Sequence, residues 1–261
     1  MNQRFSLAGR RALVTGASSG IGRAIALGLA EQGASVVLHH SGDAAGVEAT
    51  ASALGGAPFL EADFTATGAA KALAAEALRA YGPIDILIAN AAIELRAPWA
   101  EISDEQIMAQ FMVNLGALLG LVQAVVPPMM ERGWGRIVGI GSVMATRPRS
   151  ETVVYSALKS AQLTALRAIG RDTAGKGVTA NVVSPGAIEI EKNAARYAEP
   201  EFRRAVVAKI PARRAGKPED VVGAVLFLCS DAASYITGAN IPVDGGWTIG
   251  DAPGALPGDR A

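Results

Sequence analysis

Short apolar runs at residues 11–15, 35–40, 58–61, 84–89, 136–140 and 178–183 alternate with longer stretches of helical periodicity, and this alternation limits the possible folds most tightly. One helical stretch follows the first run and ends near residue 32; the others occupy 44–54, 68–81, 103–131 and 152–174. Strands this short and predominantly apolar have little surface suited to water on either face. Helix-length connections bring each new strand back parallel to the last. The expected fold is α/β, a doubly wound, mostly parallel sheet with helices on both faces. No proline- and serine-rich linker, internal repeat or low-complexity block divides the sequence, so residues 1–261 read as a single domain.

Two stretches break the pattern. Residues 187–217 are polar and charged, and Pro200 and Pro211 interrupt their helical pieces. A segment of this kind past a strand end can close over a substrate; an inert surface excursion has the same composition. Beyond Trp247, glycines and prolines predict an extended tail over 248–261, packed on a neighbouring subunit if the chain assembles.

Basic and acidic residues balance at 24 each and no basic stripe appears, which argues against nucleic acid or an anionic membrane as partner. Residues near the N-terminus lack a basic region followed by an apolar signal stretch, and no uninterrupted apolar segment reaches bilayer length. The expectation is a soluble, cytoplasmic chain. Cys229, the only cysteine, lies in an apolar run and reads as an inert buried thiol. One cysteine forms no internal disulfide and no structural zinc site, and no metal is expected.

The turn Thr15-Gly16-Ala17-Ser18-Ser19-Gly20-Ile21-Gly22 lies between the first strand and the first helix, the setting that gives a glycine pattern its meaning. Gly16 can make the tight exit turn. Gly20 and Gly22 can let a pyrophosphate and the helix backbone approach, and the helix N-terminus offers amides to negative oxygens. Ser18, Ser19 and Ile21 complete this cofactor turn. Asp63, past the third strand, can accept a hydrogen bond from adenine beside Phe64. Asn90, Ala91 and Ala92 follow the fourth strand at the same sheet edge and keep a channel open. An acid at the end of the second strand would favour NAD by pairing with ribose hydroxyls and repelling a 2′-phosphate. None occurs before Asp43; His40 and Ser41 can accommodate that phosphate, although no arginine stands by to grip it. NAD(P) is the expected cofactor, with a slight preference for NADP.

Tyr155 and Lys159 stand four residues apart on a helical pattern, which places both on one face. A phenol titrates near pH ~10 and is a poor base at neutrality. An adjacent ammonium favours the phenolate and should bring Tyr155 toward a useful range. Together with a dinucleotide turn, the pair points to carbonyl or alcohol redox chemistry.

The motifs resemble the short-chain dehydrogenase/reductase family in order from about residue 8 to 247: the glycine turn, Asn90-Ala91-Ala92, Asn114, Ser142, Tyr155-Ser156-Ala157-Leu158-Lys159, Asn181-Val182-Val183-Ser184-Pro185-Gly186 and Ile241-Pro242-Val243-Asp244-Gly245-Gly246. The resemblance implies a Rossmann-like fold and a small-molecule carbonyl or alcohol substrate. It implies that Tyr155 is the acid/base, that Ser142 orients the substrate oxygen, and that Lys159 contacts the nicotinamide ribose. Asn114 would help hold a proton-relay water, and Pro185, Gly186 and Ile188 would flank the nicotinamide. Two positions depart from the family pattern. Ala92 replaces a usual glycine, and Ile190 stands where a threonine commonly binds the cofactor; backbone groups of Ile188 would have to compensate.

Residues 90–94 and 185–204 further resemble the glucose dehydrogenase branch, which implies a sugar or polyol substrate. Glu94, Met144, Arg147, Glu191 and Trp247 are candidate pocket walls. A 3-oxoacyl thioester reductase is the alternative, and a non-catalytic dinucleotide-binding regulatory protein is the alternative of a different class. The resemblance also implies a homotetramer, or a homodimer, packed through the small and aliphatic residues of 103–131 and 155–170.

Overall fold

The computed structural model describes residues 3–250. Seven parallel strands form its sheet: β1 (Arg11–Val14), β2 (Ser35–His40), β3 (Phe59–Glu61), β4 (Ile86–Ala89), β5 (Gly135–Ile140), β6 (Val178–Pro185) and β7 (Asn240–Val243). They lie in the order β3-β2-β1-β4-β5-β6-β7. Strand order reverses between β1 and β4, and the carboxyl ends of those two strands flank the crevice where such sheets bind ligands. This is the Rossmann-like, doubly wound arrangement expected from the apolar alternation. β6 continues two residues beyond its predicted end, because Ser184 and Pro185 pair with Pro242 and Val243 of β7.

The helices are α1 (Gly20–Glu31), α2 (Ala44–Ala53), α3 (Ala69–Tyr81), α4 (Asp104–Phe111), α5 (Ala117–Arg132), α6 (Val153–Thr173), α7 (Ala194–Ala198), α8 (Pro200–Val207) and α9 (Pro218–Cys229). Side chains alternate across the sheet into two cores. Val14, Leu38, Ile86 and Val138 pack with α1 and α9; Leu13, Val37, Leu87 and Ile137 pack with α3 and α5. Cys229 is fully buried in the first core, and burial pushes its thiol up to about 12. It has the inert character expected of it.

A reciprocal capping box starts α4: Ser103 accepts from the Gln106 amide and Gln106 from the Ser103 amide. α4 runs into α5 through a π-helical turn, Met112–Gly116, that carries Asn114. The continuous helix Asp104–Arg132 has a window of mean hydropathy 1.7 and is long enough to cross a membrane by length and composition. Asn114 and Gln123 interrupt its apolar run in sequence. Half of this window is buried inside the protein, where α5 packs against α3. The segment 187–217 forms a 3-10 turn (Glu191–Asn193), α7 and α8 beyond the carboxyl end of β6. Most of the predicted tail, from 251 on, lies outside the described residues; Trp247–Ile249 form a 3-10 turn.

Candidate active site

The turn after β1 is stapled to the end of β4. The Thr15 hydroxyl donates to Ile88 O at 3.2 Å and accepts the amides of Asn90 and Ala91 at 3.0 and 3.1 Å. Asn90 Nδ2 donates to Thr15 O and Gly16 O, both at 2.9 Å. Asn90 therefore shapes the turn in addition to bordering the cavity. Gly16 and Gly20 have φ of 64° and 54°, the left-handed region that favours glycine. At Gly22 a Cβ would stand 2.0 Å from Gly16 O and 2.5 Å from Asn90 Nδ2, so the helix can pass this close only without a side chain.

His39 holds the other side of the turn. The Gly16 amide donates to His39 Nδ1 at 3.2 Å, and Nε2 lies 3.0 Å from Ala62 O. Those partners require a neutral ring with its proton on Nε2. Burial, the largest effect, lowers its pKa to about 4. The ring stacks on Phe64 at 4.2 Å, which fixes that side chain at the cavity edge. The sequence reading chose the wrong histidine for the cofactor wall: His39 borders the cavity, whereas His40 is buried with its ring edge-on to Phe59 at 5.9 Å. Strand alternation sends the two rings to opposite faces. Ser41 and Asp63 border the cavity as expected. Hydrogen bonds from Thr65 hold the Asp63 carboxyl below the usual range.

A cavity of about 880 Å³ runs along these strand ends. It brings together Gly16, Ser18, Ser19, Gly20, Ile21, Gly22, Asn90, Ala91, Ala92, Ser142, Tyr155, Lys159, Pro185, Gly186 and Ile188. The residues fit a nicotinamide dinucleotide in two observed respects. The space over the turn depends on absent β-carbons, and the first amide of α1 already binds an anion, the Glu191 carboxylate, at 3.2 Å.

Lys159 is fully desolvated on α6. Its ammonium donates to Ile140 O at 2.7 Å and to Gln162 Oε1 at 3.3 Å, and burial lowers its pKa to about 8. Lys159 Nζ lies 5.5 Å from the centre of the Tyr155 ring. Tyr155 differs from the sequence expectation: its pKa is raised. Burial is the main cause and the Glu94 charge adds to it, while a hydrogen bond with Ser142 pulls the other way. Desolvation dominates, so the phenol holds its proton and is poised as a donor. Ser142 sits past β5, and its hydroxyl also accepts the Met144 amide at 3.1 Å.

Asn114 lies behind this group and does not border the cavity. Its amide donates to Ile93 O and Gln110 O, both at 2.9 Å, while its buried Oδ1 has no partner among the described residues. The π-helical turn is what presents this side chain toward the strand end.

The segments 93–96, 143–149 and 187–209 contribute Arg96, Arg149, Lys192, Arg196 and Lys209 to the cavity lining, against one carboxylate, Glu94. Glu94 pairs with Arg96 at 2.5 Å. Met144 and Trp247 are walls as expected. Arg147 is not a wall, since it donates to Trp247 O, and Glu191 is engaged at Gly20. Sequence reasoning missed Arg149, Arg196 and Lys209, because nothing local in 187–217 says which way its short helices turn.

A dinucleotide cradle at the β1/β4 crevice, beside a Ser-Tyr-Lys group on the same cavity, defines a nicotinamide-dependent oxidoreductase acting on a CH–OH/carbonyl pair. A family model described as enoyl-(acyl carrier protein) reductase matches residues 16–248. The chain belongs to the short-chain dehydrogenase/reductase family. It is 39% identical over 251 residues to the gluconate 5-dehydrogenase of Gluconobacter oxydans, covering 94% of this chain and 97% of the relative. A solved gluconate 5-dehydrogenase from Burkholderia cenocepacia, in complex with NADP and tartrate, superposes with a TM-score of 0.87 at 35% identity, over 95% of this chain and 99% of that one. A 3-oxoacyl (acyl-carrier-protein) reductase from Agrobacterium tumefaciens with NADP bound superposes with a TM-score of 0.87 at 40% identity, over 93% and 95%.

Proposed function

We propose that this enzyme interconverts a secondary hydroxyl and a carbonyl on a sugar acid of the gluconate type. NADP is the preferred cofactor, and 1–261 forms one catalytic domain whose segment 187–217 faces the substrate. The observation that carries the substrate class is the surplus of five cationic side chains over one carboxylate where 93–96, 143–149 and 187–209 meet the cavity. A carboxylate-bearing polyol suits that wall, and the gluconate dehydrogenase relatives support it. NADP is supported by the neighbours that carry it and by Ser41 at the end of β2.

A bound nicotinamide supplies or accepts the hydride. Tyr155 delivers a proton to the carbonyl oxygen as charge develops there, and Ser142 donates a hydrogen bond to the same oxygen. Lys159, anchored by Ile140 O, holds the ribose and steadies charge near Tyr155; Asn114 offers its unpaired Oδ1 to a proton-relay water. A raised Tyr155 pKa and a lowered Lys159 pKa set the pH dependence. Below about 8, Tyr155 and Lys159 both keep their protons. The kcat/KM for reduction should therefore be level between pH 6 and 7 and fall as pH passes 8, whereas that for oxidation, which needs the phenolate and the lysine charge, should climb with pH up to about 8 and level off above it. Initial rates in both directions at constant ionic strength test this; a reduction rate climbing with pH would contradict the proton-donor role.

The substrate is tested by following NADPH absorbance with gluconate and other aldonates, their keto forms, the matching neutral polyols, and acetoacetyl thioesters. The aldonate pair should be turned over, and loss of the carboxylate should lower kcat/KM by about 10- to 100-fold, the worth of a charge-assisted hydrogen bond. Turnover confined to the thioester would establish the reductase alternative, which the Agrobacterium neighbour and the apolar Met144, Tyr197, Phe202 and Trp247 of the cavity favour. Dinucleotide binding without turnover on any of these would favour the regulatory alternative.

We propose a homotetramer in the cytoplasm. Exposed Met108, Phe111, Leu119 and Val153 leave apolar surface on α4, α5 and α6 for a second copy, and the lone buried Cys229 suits a reducing compartment.

A further inference from the structure

Glu191 opens the short turn that crosses the end of α1, and its Oε2 accepts the Gly20 amide hydrogen at 3.2 Å. Gly20 is the first residue of α1, so this donor has no partner within the helix. Ser19, at the N-cap, makes no side-chain cap of its own. Ile190 covers the same glycine: a Cβ on Gly20 would lie 3.3 Å from Ile190 Cγ2. The backbone behind the carboxylate is braced. The Ile190 amide donates to Asn193 Oδ1, and Asn193 Nδ2 donates to Ile188 O, each at 2.9 Å. Glu189 and Gly216 clip the base of the segment, Glu189 N–H to Gly216 O and Gly216 N–H to Ala187 O, both at 2.9 Å.

The pyrophosphate of a dinucleotide seeks the same amides. Two anions at one helix N-terminus repel each other and share too few donors. We infer that Glu191 sets how tightly this enzyme holds its cofactor: its carboxylate occupies the pyrophosphate position at Gly20 and is displaced when the dinucleotide binds. This rests on the dinucleotide-binding reading of the cavity. Ile190 adds to the effect, since its side chain packs over Gly20 and offers the cofactor no hydroxyl in return. The competition concerns the pyrophosphate, so it acts equally on NAD and NADP.

Fluorescence titration of NADH and NADPH into wild type and Glu191→Gln is the test. The variant keeps the side chain's length and removes its charge. Its dissociation constants should fall by roughly two- to tenfold, the range a charge at a helix N-terminus produces. The factor should be the same for both dinucleotides, and 2′-AMP, which lacks the pyrophosphate, should bind both proteins equally. The Gly20 amide resonance of the cofactor-free protein should also move in the variant. Unchanged or weaker dinucleotide binding would overturn the inference. So would a gain confined to NADPH, which would place the effect at the 2′-phosphate, or an equal gain for 2′-AMP, which would make it a general charge effect. A wild type that binds neither dinucleotide would overturn the cofactor reading along with it.

Discussion

Tyr155→Phe should lower kcat by ~10²–10⁴-fold, the usual worth of a positioned proton donor, while dinucleotide affinity and melting temperature stay close to wild type. The ring remains, and with it the packing beside Lys159 at 5.5 Å. Only the hydroxyl is lost, and with it the hydrogen bond to Ser142. Ser142 keeps its bond to the Met144 amide, so no buried group loses its last contact. Single-turnover reduction of the best substrate, paired with an NADPH titration, separates the chemical step from binding. Turnover equal to wild type would remove Tyr155 from the chemistry and reduce the Ser-Tyr-Lys group to a structural one.

Gly22→Ala should be among the most damaging single methyl groups in the described residues. Its Cβ would lie 2.0 Å from Gly16 O and 2.5 Å from Asn90 Nδ2, and neither atom belongs to a flexible side-chain end that can swing aside. Asn90 is held by Thr15 O and Gly16 O, so relief requires α1 to lift from β1 and the turn to open. Overpacking of this kind costs on the order of 3 kcal/mol, which in a chain of this size is a fall of roughly 6–12 °C in Tm. The opened turn should also lose measurable dinucleotide binding. Differential scanning fluorimetry with and without NADPH reads both effects; a variant that melts normally and is still stabilised by NADPH would show that the turn tolerates a side chain.

Much of the architecture was legible because its causes are local. Val36, Val37 and Leu38 make a short apolar run in a segment bounded by turn residues, and Ser35–His40 is a strand. Residues 44–54 and 68–81 carry helical periodicity, and α2 and α3 lie there within one residue. The glycine turn announced itself because a left-handed φ at Gly16 and Gly20 is a property of the residue. Tyr155 and Lys159 share a helix face by spacing alone.

What escaped the sequence depends on three-dimensional surroundings. His39 and His40 are adjacent and chemically identical in the sequence; the pleat of β2 turns one to the glycine turn and the other to Phe59. Spacing predicted an ammonium-assisted phenol, whereas burial decided the direction of the Tyr155 pKa, and burial is a sum over neighbours from several elements. The cations of 187–209 and the Glu191 contact with Gly20 belong to the same class, since 171 residues separate the partners of that bond.

By itself, then, the order of residues determined where most strands and helices lie, where the backbone can turn tightly, and which ionisable side chains share a helix face. Only the folded chain decided which histidine serves the turn, which charges border the cavity, and which carboxylate reaches the helix end. Backbone propensity and spacing act over a few residues; desolvation and charge pairing act over a few ångströms, and those distances exist only after the sheet has assembled.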